Sequence, residues 1–389
     1  MPGNPMTPPL IRAEIDLSAI NHNIQEIRRI VGSDVRIMAA VKANAYGHGA
    51  LRVSQQVLDS GANMLGVARI NEGIDLRNGG ITAPILILGN TPPGFADELM
   101  AYDLITTVSS YETAEGYAAA ARLQKGKIRV HLKIDTGMGR NGFLSDGFRV
   151  FDKHDDTRAL SEIDAVCRLT GLRVEGIFSH FAIADAADKA SANRQFDVFN
   201  DLLGQIKTAG IYIPIRHIAN SAATIDMPET HLNMVRPGIA VYGLAPSSEV
   251  QLDRIDLKPA MAIKAKITHL KNVGAGFNVS YGSTHITPAP TRIAVIPVGY
   301  ADGYNRQLSS RGRMLVRGRS APILGRICMD LTMIDVGHIP DVALGDEVVI
   351  LGSQGTETLS ADEIAAELKT INYEVVSGIT ARVPRVYLP

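Results

Sequence analysis

The sequence predicts an α/β protein: a (β/α)8 TIM-type barrel followed by a C-terminal β-rich domain. Three observations lead there. Up to about residue 240, short apolar runs alternate with longer helical patterns. Those runs have the length and composition of strands buried in a parallel sheet. After about residue 245 the texture changes to strand-like segments separated by turn residues.

The barrel strands are expected at "RIMAAV" (36–41), "MLGVA" (64–68), "PILILG" (84–89), "LITTV" (104–108), "IRVHLKI" (128–134), "VEGIFS" (174–179), "IRHIA" (215–219) and the short "NMV" (233–235). Helices are expected between them, for example over 20–31, 111–124 and 192–210, the last stopping at Gly210. Eight strand–helix units favour a closed barrel, since an open doubly wound sheet needs about six strands. The polar stretch "APSSEVQLDRIDLKP" (245–259) reads as a linker. Beyond it, "MAIKAKITHL", "TRIAVIPVGY", "APILGRICMDLTMIDV" and "DEVVILG" read as strands, and "SADEIAAELKT" (360–370) as a helix opened by a Ser-x-x-Glu cap. The expected organisation is a disordered tail over 1–10, a barrel over 11–245 and a β-rich domain over 246–389, which the N-terminal strand can join.

Bulk properties narrow the function classes. A net charge of −1 gives no general attraction to nucleic acid or an anionic membrane. The basic run "RGRMLVRGR" (311–319) reads as a solvated strand face. Two distant cysteines, Cys167 and Cys328, make no disulfide framework and fit a reducing compartment. No apolar run is long enough to span a bilayer, and "MPGNPMTPP" lacks the pattern of a secretory signal. A cytoplasmic protein is expected, with no metal site.

Reactive side chains recur where the barrel strands end. Lys42 follows the first strand, Arg140 the fifth, His180 the sixth, Asn220 and Ser221 the seventh, and Arg236 the eighth. In a closed barrel those ends converge on one mouth, where such folds place their active sites. A lysine there can form a Schiff base with pyridoxal 5′-phosphate. Ser221 and the backbone N–H groups around Gly238 and Ile239 suit its phosphate. Arg236, oriented by His180, suits its pyridine nitrogen.

The motifs "AAVKANAYGHG", "IDTGMGRNG", "FSHFA", "MVRPGIAVYG", "SYG", "VGYADGY", "RICMD" and "INYEV" together resemble the alanine racemases of the pyridoxal-phosphate barrel type. The resemblance runs from about residue 10 to the C-terminus. It implies interconversion of L- and D-alanine by two bases, supplying D-alanine for bacterial peptidoglycan. It also implies a head-to-tail homodimer in which each site joins one barrel to the partner's β domain. Lys42 is implied as the base for D-alanine and Tyr281 as the base for L-alanine. From the residues alone, Tyr281 would be a packed strand tyrosine. The resemblance adds Tyr46 and Tyr373 to Ser221, Gly238 and Ile239 at the phosphate, and Arg140 with the backbone at Met329 at the substrate carboxylate. It implies a carbamylated Lys133 that positions Arg140, and an entrance narrowed by Tyr300 and Tyr373 with Asp330 nearby. Arginine holds its proton, so Arg236 would hydrogen-bond the ring nitrogen without protonating it. That weakens the ring as an electron sink and suppresses side reactions.

Other readings compete. "GMGRNG" (137–142) fits the G-x-G-x-x-G of a nicotinamide dehydrogenase, but it follows the fifth strand, Arg140 fills the turn, and Lys133 and Asp135 are expected to interrupt the strand. A racemase of broad specificity or one preferring serine, a non-catalytic pyridoxal-phosphate carrier, and a decarboxylase on a related architecture are further alternatives. The carrier would need no β domain, and the decarboxylase would be expected to place a carboxylate where Arg236 stands. Zinc-protease, α/β-hydrolase and P-loop motifs do not occur.

Overall fold

The computed structural model describes residues 9–145 and 159–389. Of the tail expected over 1–10, residues 1–8 lie outside the described residues. Two compact units emerge. One comprises Ala19–Ala45 and Ala50–Lys258; the other comprises 9–18, Tyr46–Gly49 and Pro259–Pro389.

Strand β1 (Ile11–Asp16) belongs to the second unit. The first unit holds β2 (Arg36–Ala40), β3 (Met64–Val67), β4 (Ile85–Asn90), β5 (Ile105–Val108), β6 (Ile128–Asp135), β7 (Phe143–Leu144), β8 (Leu172–Phe178), β9 (Ile215–His217) and β10 (Met234–Val235). They pair in parallel in the order β10-β2-β3-β4-β5-β6-β8-β9, with the short β7 beside β6. All eight expected barrel strands therefore form. Met38, Met64, Leu86, Ile105 and Met234, from five strands, share one buried apolar cluster. Helices alternate with the strands, among them Leu17–Val31, Tyr111–Leu123 and Ala190–Thr208. Ser110 caps the second of these by accepting from the Thr113 N–H, and Gly210 follows the third at φ +74°, a conformation glycine adopts without penalty.

Asn233 closes the ring. Among the described residues β9 and β10 share no ladder. The Asn233 side chain replaces one: its Oδ1 accepts from the Arg216 N–H at 2.7 Å and its Nδ2 donates to the Pro214 carbonyl at 2.8 Å. Further along, the Arg236 N–H donates to the Ala219 carbonyl at 2.9 Å. One prediction fails here. Lys133 and Asp135 do not interrupt their strand; both lie within β6 and are buried. The strand's inward face at its carboxyl end meets polar partners, so charge does not end it.

The second unit is built on a sheet in the order β17-β16-β19-β11-β1-β21. Its members are β11 (Met261–Lys266), β16 (Arg313–Val316), β17 (Arg319–Pro322), β19 (Glu347–Gln354) and β21 (Arg385–Leu388), with β20 (Glu357–Leu359) beside β19. β1 lies antiparallel to β11 and parallel to β21. A three-stranded sheet orders β12 (His269–Val273), β15 (Thr291–Ile296) and β18 (Thr332–Asp335), and β13 (Asn278–Val279) pairs with β14 (His285–Ile286). Ser360 caps the helix Ala361–Leu368, accepting from the Glu363 N–H at 3.0 Å. In the basic run, Arg311, Arg313 and Arg317 pair with Glu367, Glu363 and Asp346. It is a charge-paired face.

Candidate active site

Lys42 lies one residue beyond β2, after Val41, and opens a left-handed turn: Ala43, Asn44, Ala45 and Tyr46 all have φ between 51° and 54°. A left-handed conformation costs a residue with a Cβ roughly 1–2 kcal/mol. Four in succession persist only because contacts hold them. The Glu72 carboxylate accepts from the Ala43 N–H at 2.6 Å and from the Ala68 and Arg69 N–H groups. Asn44 Oδ1 accepts from the Ala50 N–H at 2.8 Å. Three of the four, Ala43, Asn44 and Ala45, have the small side chains that such a turn tolerates. Burial, and then the charge of Arg140, lower the proton affinity of Lys42, while Glu72 acts the other way.

The barrel also buries a guanidinium, that of Arg236. Arg236 NH1 donates to His217 Nδ1 at 2.8 Å; NH2 donates to the Ser179 carbonyl at 2.7 Å, to His180 Nδ1 at 3.0 Å and to the Ile218 carbonyl at 3.1 Å. Burial and the charge of Arg140 bring its pKa down to about 9, so it stays cationic at neutral pH. Its Nε–H and one NH1 hydrogen are left for a ligand. Phe178 stacks on His217, ring centroids 4.8 Å apart, and both Arg236 and Lys133 lie 5.2 Å from its centroid. Lys133 is 2% exposed, and its Nζ donates to the Ile134 carbonyl at 3.1 Å. Burial first, then Arg236 and Arg140, bring its pKa to about 7 against the pull of Asp135. His180 is held well below its ordinary value by burial and then by Arg236, Lys133, Arg140 and Lys42. The barrel therefore brings Lys42, Lys133, Arg140, His180 and Arg236 into one electrostatic neighbourhood.

The loop after β6 answers the dinucleotide reading. Asp135 Oδ1 accepts from the N–H groups of Gly137, Met138 and Gly139 at 2.9–3.1 Å, and Oδ2 from that of Arg140 at 3.0 Å. Burial raises the Asp135 pKa, but these four donors outweigh it and hold the carboxyl below its ordinary value. The N–H groups that a pyrophosphate would need are already engaged by a carboxylate. The Arg140 side chain is left exposed.

Ser221 joins two turns. Its Oγ accepts from the Gly238 N–H at 2.8 Å and from the Ala240 N–H at 3.3 Å. Asn220 caps the helix Ser221–Asp226 through the Ala223 N–H. The Ser221, Ala222 and Ile239 N–H groups at the starts of that helix and of the turn Ile239–Tyr242 have no intrahelical acceptor and are not taken by these side chains, a donor set suited to a phosphate.

The remaining residues lie in the second unit. Tyr46 is buried, which pushes its pKa to about 12, and its ring centroid is 6.1 Å from that of Tyr373. The glycines of "YGHG" are there for contact: a Cβ on Gly47 would lie 2.1 Å from the Val376 carbonyl oxygen, and one on Gly49 would lie 1.9 Å from the Tyr387 hydroxyl. Arg385 ties this segment down, donating to the carbonyls of Gly47, Ile379 and Val383. Tyr300 opens a turn strapped to the next motif: its N–H donates to the Cys328 carbonyl and the Ala301 N–H to the Met329 carbonyl, both at 3.1 Å. Asp330 receives Arg382 at 2.8 Å. Tyr281 is no packed strand tyrosine. It follows β13 in a tight turn and is 70% exposed, carried by Ser280 at φ +64° and Gly282 at φ +73°. The Ser280 hydroxyl donates to the Arg326 carbonyl.

Residue reasoning missed His131, His217, Glu72 and Phe178. A signal existed for the two histidines: each interrupts an otherwise apolar strand segment, "IRVHLKI" or "IRHIA". Chemically the barrel side fits pyridoxal phosphate. It offers a lysine amine of lowered proton affinity, a guanidinium with unused donors for a ring nitrogen, and an N–H cluster beside a hydroxyl for a phosphate.

The family model described as "Alanine racemase, N-terminal domain" matches residues 15–246, and "Alanine racemase, C-terminal domain" matches 260–387. An alanine racemase of Desulfosudis oleivorans is 55% identical over 377 residues, covering 96% of each chain. One of Desulforamulus reducens is 49% identical, covering 97% of this chain and 99% of the relative. Among solved structures, an alanine racemase of Clostridium difficile superposes with a TM-score of 0.91 at 38% identity, covering 98% of this chain and 96% of that one. The alanine racemase of Bacillus anthracis with bound L-Ala-P gives 0.89 at 36% identity, covering 99% and 96%.

Proposed function

Because the chain belongs to the alanine racemase family, we propose that Lys42 and Tyr281 are its two bases, acting on opposite faces of the substrate α-carbon. The activity is the interconversion of L- and D-alanine, an isomerisation that depends on pyridoxal phosphate. Bound through Lys42, the cofactor supplies the electron sink that acidifies the α-hydrogen. Tyr281 Oη takes that proton from L-alanine while Lys42 Nζ returns one to the other face; for D-alanine the roles reverse. Burial that lowers the proton affinity of Lys42 makes it a better base near neutral pH.

The observation that supports this reading most is Arg236. A cation that donates to two histidines and two carbonyls is held rigidly and keeps its proton. Arg236 would hold the ring nitrogen by donating to it without giving up its proton, which would favour return of the proton to carbon over side reactions. Tyr46, Ser221, Gly238, Ile239 and Tyr373 hold the phosphate, with Asn220 shaping the turn. Arg140 and the Met329 N–H hold the substrate carboxylate; the Met329 carbonyl is already taken by Ala301. Lys133, with a pKa of about 7, presents a neutral amine that adds carbon dioxide and loses a proton. The resulting carbamate sets a negative charge against Arg140. Tyr300 and Tyr373 narrow the entrance for a small amino acid, with Asp330 nearby.

Tyr281 acts on the barrel of a partner subunit, so the working unit is a homodimer with shared sites. The barrel is read as the unit of Ala19–Ala45 and Ala50–Lys258, and the β-rich domain as the unit that holds β1 and Pro259–Pro389. Among the described residues no helix is long and apolar enough to cross a membrane. We place the enzyme in the cytoplasm, supplying D-alanine for peptidoglycan.

The test is L-alanine with the cofactor-loaded protein in heavy water, followed by proton NMR and chiral analysis. Loss of the α-proton signal with appearance of D-alanine supports both bases. In the Tyr281→Phe variant, exchange of D-alanine without inversion and no exchange of L-alanine assigns the second base; full racemisation by that variant removes it. For the shared site, Lys42→Ala and Tyr281→Phe dimers are mixed and allowed to exchange subunits. Recovered activity supports the dimer, because one of the two hybrid sites has both bases; none after verified exchange opposes it.

A further inference from the structure

A second buried histidine stands behind the Arg236 site. His217 Nε2 lies 2.9 Å from His131 Nδ1, and the rings meet edge to face at 5.1 Å between centroids. Both residues are 0% exposed. Protonation along this chain follows from one end. A guanidinium has only donors, so the His217 Nδ1 facing Arg236 must accept. Neutral His217 then carries its proton on Nε2 and donates it to His131 Nδ1. His131 in turn carries its own proton on Nε2, which has no hydrogen-bond partner among the described residues. A buried donor without an acceptor is unfavourable, and the position keeps one.

The backbone is shaped for that ring. Between β6 and β8 the register slips: Val130 pairs with Val174, but His131 pairs with Gly176. Glu175 is the additional residue, turned aside to a two-point ion pair with Arg129. The slip sets a glycine opposite His131, and a Cβ there would lie 2.5 Å from the imidazole. A bulge and a glycine thus make the seat for one histidine.

We propose that His131 is a positioning residue for Arg236: by accepting from His217 Nε2–H it fixes the tautomer of His217, and so the direction in which the guanidinium donates. This inference rests on the reading of Arg236 as the partner of the cofactor ring nitrogen. With the other tautomer, His217 would present N–H against N–H to Arg236 and push the guanidinium out of place. The pair also stays neutral, so Arg236 remains the cation at the ring. The cations that face the pair are Arg129 of β6 and Arg236, and with burial they disfavour a proton on either ring; Lys133 of β6 adds to them only while it keeps its proton and carries no carbamate.

The first measurement is two-bond ¹H–¹⁵N correlation NMR on the full-length, cofactor-loaded protein labelled at histidine, with His131→Gln used for assignment. The expected result is Nε2–H for both His131 and His217, unchanged from pH 6 to 8. His217 as Nδ1–H or as imidazolium overturns the proposal without any variant having to fold. The second measurement is turnover. His131→Leu removes the acceptor, and kcat is expected to fall about tenfold with KM little changed, the size of one lost buried hydrogen bond. His131→Gln, whose amide oxygen can accept, is expected to restore most of it and keep the His217 tautomer. If His131→Leu keeps both wild-type kcat and His217 Nε2–H, the role is packing alone and the proposal falls. The tautomer readout needs no turnover, so failure to racemise alanine would count against the function and not against this relay.

Discussion

Replacing Asp135 by asparagine tests how the loop after β6 places Arg140. The carboxylate gathers four backbone N–H groups, three on Oδ1 and one on Oδ2. An asparagine keeps a neutral oxygen for the three and sets an NH2 against the Arg140 N–H, 3.0 Å away in the native loop. One hydrogen bond to a charged acceptor, about 1.5–3 kcal/mol, is lost, and the other three weaken because charge-assisted bonds are roughly twice as strong as neutral ones. If about 2 kcal/mol of that appears as loop ordering that substrate binding must supply, kcat/KM falls roughly 30-fold. The loss should lie mainly in KM, because Arg140 is read as holding the substrate carboxylate and not as moving a proton. The assay is initial rates in both directions by chiral chromatography, with amide hydrogen exchange at 137–140 as the structural readout. Unchanged kcat/KM alongside lost protection of those amides would refute the link from Asp135 to Arg140. Unchanged protection would refute the capping argument itself.

Three further predictions follow from other parts of the molecule. Asn233→Ala removes both side-chain bonds that join β9 to β10 and should lower stability by about 1–3 kcal/mol in denaturant titration; an unchanged midpoint would show that the ring closes without it. His131, lowered to about 3, and His217, lowered well below its ordinary value, stay neutral when folded, whereas unfolded histidines titrate near 6.5. Between those values the unfolded chain binds protons that the folded chain does not, so stability falls as pH drops through 6.5, by about 2.7 kcal/mol per pH unit for the pair. A urea midpoint constant from pH 7 to pH 5 would contradict this. Arg236→Glu puts a group that can share a proton beside the ring nitrogen; racemisation should slow, long-wavelength absorbance should appear and amino transfer to the cofactor should rise. A variant with the native spectrum and no transfer product would remove Arg236 as the reason for reaction choice.

The architecture was legible because it is written in local patterns. Each barrel strand was visible as a short apolar run, down to "NMV", and Ser360 announced its helix by residue type and spacing. The strand-end positions of Lys42, Arg140, His180, Ser221 and Arg236 followed from the same reading, since a parallel barrel sends every strand's carboxyl end to one side. Tyr281 was legible only through its motif: residue type alone suggested packing, and only the turn shows that the ring is exposed.

What tertiary structure alone decided are the interactions that join residues distant in sequence. Nothing in "KANAY" states that four residues turn left-handed; that turn needs Glu72 to receive the Ala43 N–H. Lys133 looked like a break in a strand, and only the fold shows it buried beside Arg236 with its pKa brought to about 7. His131 and His217 are separated by 86 positions and meet only because β8 stands between their strands with Gly176 making room. Periodicity records which face of an element is apolar, so it carries the fold. Proton affinities and tautomers depend on which groups are brought within a few ångströms in a low-dielectric interior, and that is settled only when the barrel closes.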